Sequence, residues 1–69
     1  MKNRLLELIK EDVCITSIEM LAAHLKLKTD DVNDLLNGDE IGHRKLKKIL
    51  KYFNCSEDYF YYKTDRRND

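Results

Sequence analysis

Basic side chains crowd one short stretch of this sequence, between residues 41 and 51, where no acidic residue occurs. Lysine and arginine at this density suit one kind of chemistry, the neutralisation of phosphate groups along a nucleic-acid backbone. The alternative is a solvated helix face, which is the usual place of a charge run. The basic side chains of the stretch are His43, Arg44, Lys45, Lys47, Lys48 and Lys51.

Acidic side chains dominate the other part of the chain. Residues 1–40 carry five basic and nine acidic side chains, a net charge of −4, and residues 41–69 carry a net charge of +4. The neutral total of the 69 residues therefore conceals two parts of opposite sign, which suggests partner-binding faces of opposite charge. Asp30 and Asp31 also suit the positive end of a helix, but that does not explain the other carboxylates. The acidic candidates for docking a protein partner are Asp30, Asp31, Asp34, Asp39 and Glu40.

The residue types that catalyse reactions or bind metals lack the spacing for either task. The cysteines and histidines of the sequence are Cys14, His24, His43 and Cys55, and they form no C-x-x-C or H-x-x-x-H pair. No glycine-rich phosphate loop occurs either. No nucleophile has a base at motif spacing, so we predict that the chain is not an enzyme and holds no metal or cofactor. The cysteines are expected to be buried, reduced thiols, with a disulfide between them as the alternative.

Apolar residues recur at helical spacing, so the sequence predicts an all-α domain over residues 1–62. Residues 63–69 have no apolar side chain and are predicted to form a flexible C-terminal tail. No apolar run approaches the roughly 20 residues that span a bilayer, and the N-terminus does not resemble a signal peptide. A cytoplasmic protein is therefore expected. The first helical stripe, within residues 3–13, contains Leu5, Leu6, Ile9 and Val13.

Start and stop signals predict four further helices, over residues 17–25, 29–37, 43–53 and 57–62. The first of these begins with a predicted capping box, Thr16 with Glu19, and a hydrophobic staple, Ile15 with Met20. Thr29 and Ser56 suit the N-caps of later helices. Helix ends are predicted at Asn37-Gly38 and at Asn54, because these residue types tolerate the left-handed conformation.

The two helices at 17–25 and 29–37 have the pattern of a helix-turn-helix unit, with the small Ala22 inside the first helix. The spacing of the apolar and stop residues in this unit resembles that of the phage-repressor-like, Xre/Cro-type helix-turn-helix family. These residues are Leu21-Ala22, Leu25, Leu27, Val32 and Asn37-Gly38. Residues 46–60 are similar to the fourth and fifth helices of that family, so the resemblance covers residues 4–61. Lys26 replaces the usual glycine of the turn, which predicts either a lysine with positive φ or a relaxed turn.

The resemblance implies a five-helix domain that binds duplex DNA as a dimer and regulates transcription in bacteria or their viruses. The third helix would then enter the major groove. The exposed positions that would approach bases are Lys28, Thr29, Asp31 and Asn33. The positions at which the family contacts phosphates are occupied by His43, Arg44, Lys45, Lys47 and Lys48.

All six aromatic residues lie beyond position 51. Phe53 and one or two later rings are expected to close the core, but the short 59–62 segment cannot bury every ring it carries. Exposed aromatic rings are typical of contact surfaces, so we predict a homodimer interface at Tyr59, Tyr61 and Tyr62. Simple capping of the core is the alternative, and RNA stacking is a third.

Two functions follow from the sequence. The first is a DNA-binding transcriptional regulator, supported by the motif and by the basic fourth helix. The second is a protein-binding module on the same fold, in which the acidic third helix docks a basic surface of another regulator. In that case the chain would act as an antirepressor, a corepressor or a partial DNA mimic.

Overall fold

Five α-helices make up the regular secondary structure of residues 2–67, which are the residues that the computed structural model describes. They are α1 (Leu5–Glu11), α2 (Ile18–Leu25), α3 (Thr29–Leu36), α4 (His43–Phe53) and α5 (Glu57–Phe60). No strand occurs in this range, so the predicted all-α, five-helix class is confirmed. Within the same range, no helix combines the length and the apolar composition needed to span a bilayer.

The core is built from one or more side chains of every helix. Its buried members are Leu5, Leu8, Leu21, Ala22, Val32, Leu35, Leu46, Ile49, Phe53, Cys55 and Phe60. The predicted stripe on α1 was wrong in part, because Leu6 is 53% exposed and Val13 is 92% exposed. The helix ends at Glu11, so Val13 lies in the following loop, and Leu5 and Leu8 provide the buried contacts.

Helix α2 begins one residue later than its predicted capping box requires. Ser17 has an extended backbone, and its hydroxyl accepts a hydrogen bond from the Met20 N–H at 3.1 Å. Thr16 instead directs its hydroxyl to the Met20 sulfur at 3.6 Å, and Met20 is 45% exposed. The predicted capping box was therefore wrong, the Ile15–Met20 staple stays a prediction, and the helix itself was predicted correctly.

The turn between α2 and α3 contains a lysine in the left-handed conformation. Lys26 has φ of 57°, and the next N–H, that of Leu27, donates to the Ala22 carbonyl at 2.8 Å. This hydrogen bond closes the end of α2 in the manner of a Schellman motif. Ala22 is 2% exposed, and α2 and α3 pack against each other. The first of the two alternatives for Lys26 is thus confirmed.

The ends of α3 and α4 use the same kind of motif. Gly38 has φ of 90°, and the Asp39 N–H donates to the Asp34 carbonyl at 2.8 Å. After α4, Asn54 has φ of 53°, and the Cys55 N–H donates to the Leu50 carbonyl at 3.1 Å. Both predicted stops are confirmed, and they fix where the loops on either side of α4 begin.

The start of α1 is fastened to α5 by Arg4. The guanidinium group lies 4.2 Å from the ring centre of Tyr59 and 4.3 Å from that of Tyr62. Its Nε donates to the Tyr59 carbonyl at 2.6 Å, and the Arg4 N–H donates to the Phe60 carbonyl at 2.8 Å. The Ser56 hydroxyl caps α5 as predicted. The helix ends at Phe60, two residues before its predicted end.

The chain after α5 turns back towards the end of α4. The Ser56 N–H donates to the Arg67 carbonyl at 2.9 Å. The Arg67 guanidinium donates in turn to the Phe53 carbonyl at 2.6 Å and 3.2 Å. Of the tail predicted over 63–69, residues 68 and 69 lie outside the described residues.

Candidate nucleic-acid interface

Two of the four predicted base-contact residues at α3 are exposed to solvent. Lys28, which precedes the helix, and Asn33 in its middle are exposed, and Thr29 is half-buried. The buried side of the same helix carries Val32 and Leu35, each 0% exposed. The amphipathic pattern therefore fixes which side of α3 is available to a partner.

Asp31 differs from the other base-contact candidates because its carboxylate is used inside the molecule. One oxygen accepts a hydrogen bond from the Lys28 N–H at 3.2 Å, and the other accepts from the Lys45 Nζ at 3.2 Å. Its side chain is only 13% exposed. Partial burial raises the pKa of Asp31, but the hydrogen bonds from Lys45 and Lys28 and their charges outweigh it, so that the net pKa is lowered. Asp31 therefore stays ionised.

The Asp31–Lys45 pair brings two predicted sets of residues together. Asp31 lies in the first turn of α3, and Lys45 lies in the first turn of α4. Their pairing holds these helix starts side by side and neutralises one carboxylate of the acidic set. The Asp31 carboxylate also partly compensates the positive charge of Lys45, whose side chain is 47% exposed.

The other basic residues of α4 are exposed. None of them is within ion-pair distance of an acidic side chain among residues 2–67. They therefore form a cationic surface that begins at the Asp31–Lys45 pair and continues along α4. These residues are His43, Arg44, Lys47, Lys48 and Lys51.

The remaining carboxylates of the acidic set are also exposed and have no ion-pair partner within residues 2–67. We call them the acidic edge, and they are Asp30, Asp34, Asp39 and Glu40. They lie on α3 and in the loop that connects it to α4. The structure thus separates Asp31 from the other four residues with which the sequence grouped it.

The tyrosines predicted to form a dimer interface make contacts within the chain. Tyr59 and Tyr62 enclose Arg4, and the Tyr62 hydroxyl donates to the Glu7 carboxylate at 2.8 Å. That hydrogen bond is the main cause of a raised pKa for Tyr62. Tyr59 and Tyr61 are half-buried, and Tyr62 is 39% exposed. The homodimer remains a prediction.

The two cysteines lie in different environments, contrary to the expectation that both are buried. Cys14 is an exposed free thiol in the loop after α1, whereas Cys55 is a buried free thiol in the core. Burial raises the pKa of Cys55, more than the nearby Arg67 and Arg4 lower it. The expectation for Cys14 was wrong because α1 ends before the residue is reached.

Sequence reasoning missed the Asp31–Lys45 pair and the role of Arg4. A local signal for the first existed, since Asp31 is the third residue of α3, where a carboxylate commonly accepts the N–H that precedes the helix. Its pairing with Lys45 bridges 14 positions, and the Arg4 hydrogen bond to Tyr59 bridges 55. No short-range pattern reports such distances.

Because comparison with known proteins finds no match, the function is argued from the geometry described above. The chain matches no protein-family model, no curated protein and no solved structure.

Proposed function

We propose that this chain is a small Xre/Cro-type helix-turn-helix transcriptional regulator that binds duplex DNA, as a dimer. The observation that carries the proposal is the 3.2 Å Asp31–Lys45 contact, which shows that the start of α3 lies near the basic start of α4. In this arrangement a helix for base edges and a cationic surface for phosphates are neighbours in the fold.

Different residues supply affinity and sequence selection in this proposal. Arg44, Lys47 and Lys48 are exposed and unpaired within the described range, so they are the phosphate contacts. Lys28 and Asn33 on the exposed side of α3 have hydrogen-bonding groups suited to base edges. Asp31 is not assigned a base contact, because its carboxylate already accepts hydrogen bonds from the Lys28 N–H and the Lys45 Nζ.

The internal pair also reduces the electrostatic objection to DNA binding. Three aspartates on α3 would be repelled by the phosphates that line the major groove. Because the charge of Asp31 is compensated by Lys45, the exposed repulsive charges of α3 are those of Asp30 and Asp34. A single carboxylate can still accept a hydrogen bond from cytosine N4.

Salt-dependent DNA binding tests the proposal. Fluorescence anisotropy with a fluorescein-labelled duplex pool, randomised at its centre, gives the slope of log affinity against log salt concentration. The double variant Arg44→Ala/Lys47→Ala should reduce the magnitude of this slope by about 2, since each lost phosphate contact contributes about 0.9. The control Lys10→Ala/Arg66→Ala removes two exposed positive charges elsewhere and should leave the slope unchanged. Absence of binding at low salt, or equal slopes for both variants, contradicts the proposal.

The acidic edge supports a second candidate, the protein-binding module. Four exposed carboxylates without ion-pair partners in residues 2–67 would attract a basic protein surface. The charge reversal Asp30→Lys/Asp34→Lys separates the two functions. It should strengthen binding to the duplex pool if the chain binds DNA. Under the second candidate the wild-type chain does not bind the duplex but captures a protein partner in a salt-sensitive way. The charge-reversed variant should then no longer capture that partner.

A further inference from the structure

An open groove lies between the end of α2 and the second half of α4. Its volume is about 590 Å³. Its walls are formed by His24, Leu25, Lys26, Lys48, Lys51 and Tyr52, and we call it the lysine groove.

The charges of the lysine groove all have the same sign. Three of its six lining residues are lysines, and no carboxylate of residues 2–67 lines it. Within residues 2–67, none of the three lysines is in an ion pair. Burial raises the pKa of Tyr52, and the nearby Asp12 carboxylate raises it further. Asp12 does not line the groove. Like charges that line one space without compensation repel one another, so a bound anion would relieve that repulsion.

Fixed backbone and ring contacts hold the groove in shape. Lys26 is in the left-handed conformation that closes α2, and Lys48 and Lys51 are one turn apart on α4. The rings of His24 and Tyr52 meet edge-on at 5.3 Å and join the two helices. Three cations are therefore presented from two packed helices around one space.

The groove shares Lys48 and Lys51 with the cationic surface, but it lies at the other end of α4 from the Asp31–Lys45 pair. Lys51 and Tyr52 lie in the last turn of α4, whereas the Asp31–Lys45 pair lies beside its first turn. Six residues of helix separate Lys45 from Lys51, which corresponds to about 9 Å along the axis. Lys48 lies between the two regions and belongs to both.

From these observations we propose that the lysine groove binds a small oligophosphate anion. Several linked phosphate groups match three lysines on two elements better than one phosphate does, because the longer anion carries more negative charge and spreads its oxygens over a greater length. Tyr52 and His24 add aromatic surface beside the cations, which would also suit the base of a nucleoside triphosphate. The proposal does not depend on DNA binding.

Titration of the ¹⁵N-labelled chain with inorganic tripolyphosphate, at constant ionic strength, tests this site. We expect saturable amide shifts at the end of α2 and the second half of α4. A parallel titration with ATP shows whether a base strengthens binding. The variants Lys26→Gln/Lys51→Gln and Lys48→Gln should weaken binding by about two- to fivefold per lysine, as is usual for exposed ion pairs. The control Lys10→Gln/Lys63→Gln should bind as the wild type does.

Two results would overturn the proposal. One is a shift that never saturates, or that the control variant weakens equally, since binding would then follow net charge. The other is unchanged affinity in Lys26→Gln/Lys51→Gln, which overturns the proposal by itself and would be explained by a lower melting temperature of that variant. In that case the two lysines serve only to stabilise the negative ends of α2 and α4. Because no DNA is present, neither result depends on the proposed regulator function.

Discussion

The Asp31–Lys45 pair can be opened by the substitution Asp31→Asn. In the wild type, the Asp31 carboxylate accepts hydrogen bonds from the Lys45 Nζ and from the Lys28 N–H, both at 3.2 Å. Asparagine keeps the size of the side chain but removes its charge, so Lys45 becomes free to contact a DNA phosphate. The variant should therefore bind the randomised duplex pool more tightly at low salt.

The magnitude follows from one additional phosphate contact. Each contact steepens the slope of log affinity against log salt concentration by about 0.9. Between about 50 and about 200 mM salt, a fourfold change, this corresponds to an extra loss of affinity of about 3.5-fold. Anisotropy titrations at four or more salt concentrations resolve a difference of that size.

Asp30→Asn provides the matched control. It removes the same charge from the same turn of α3, but Asp30 is exposed and makes no ion pair within residues 2–67. It should tighten binding without adding a phosphate contact, and its slope should equal that of the wild type. In the double variant Asp31→Asn/Lys45→Ala, the steeper slope should disappear. Equal slopes for Asp31→Asn and Asp30→Asn would refute the reasoning.

Three other predictions concern pH, the turn and the thiols. In the folded chain the pKa of Asp31 is below its ordinary value of 3.8. The ionised Asp31 carboxylate therefore stabilises the fold fully above pH 3.8, and this stabilisation is lost as the pH falls through the folded pKa. Urea unfolding of Asp31→Asn at several pH values should lack this loss of stability in acid. Lys26→Gly should raise the free energy of unfolding, measured with urea, by about 0.5–1 kcal/mol, because Lys26 has φ of 57° and glycine adopts positive φ without strain. As a control, Lys47→Gly inside α4 should lower the free energy of unfolding by about 1 kcal/mol. A chromogenic thiol reagent should modify Cys14 at once in the native chain and Cys55 only on unfolding; equal rates would contradict their different burial.

Elements with strong local signals could be predicted from the sequence. The bounds of α4 agree with the prediction at both ends, and Ser56 caps α5 as expected. Lys26 adopts the left-handed conformation, which is one of the two alternatives that the sequence left open for this turn. In each case the deciding interactions lie within about one helical turn of sequence, which is the range that a pattern reports.

Predictions failed where two neighbouring residues could serve the same purpose, or where a helix ended early. Thr16 and Ser17 are both suitable caps, and the extended backbone at Ser17 decided between them. Val13 fits a continued helical stripe, but α1 stops at Glu11, so both Val13 and Cys14 became exposed. Helix ends of this kind depend on the packing of later elements, which local spacing does not contain.

The sequence by itself determined the helical class, the position of most helix ends, and the division of charge between an acidic and a basic part. Only the tertiary structure decided which of those charges remain available to a partner. Packing of α3 against the rest of the chain placed Asp31 beside Lys45, and the approach of α5 to α1 enclosed Arg4 between two tyrosine rings. The physical reason is that an ion pair or a ring contact forms only within a few ångströms, and the folded core alone brings distant residues that close.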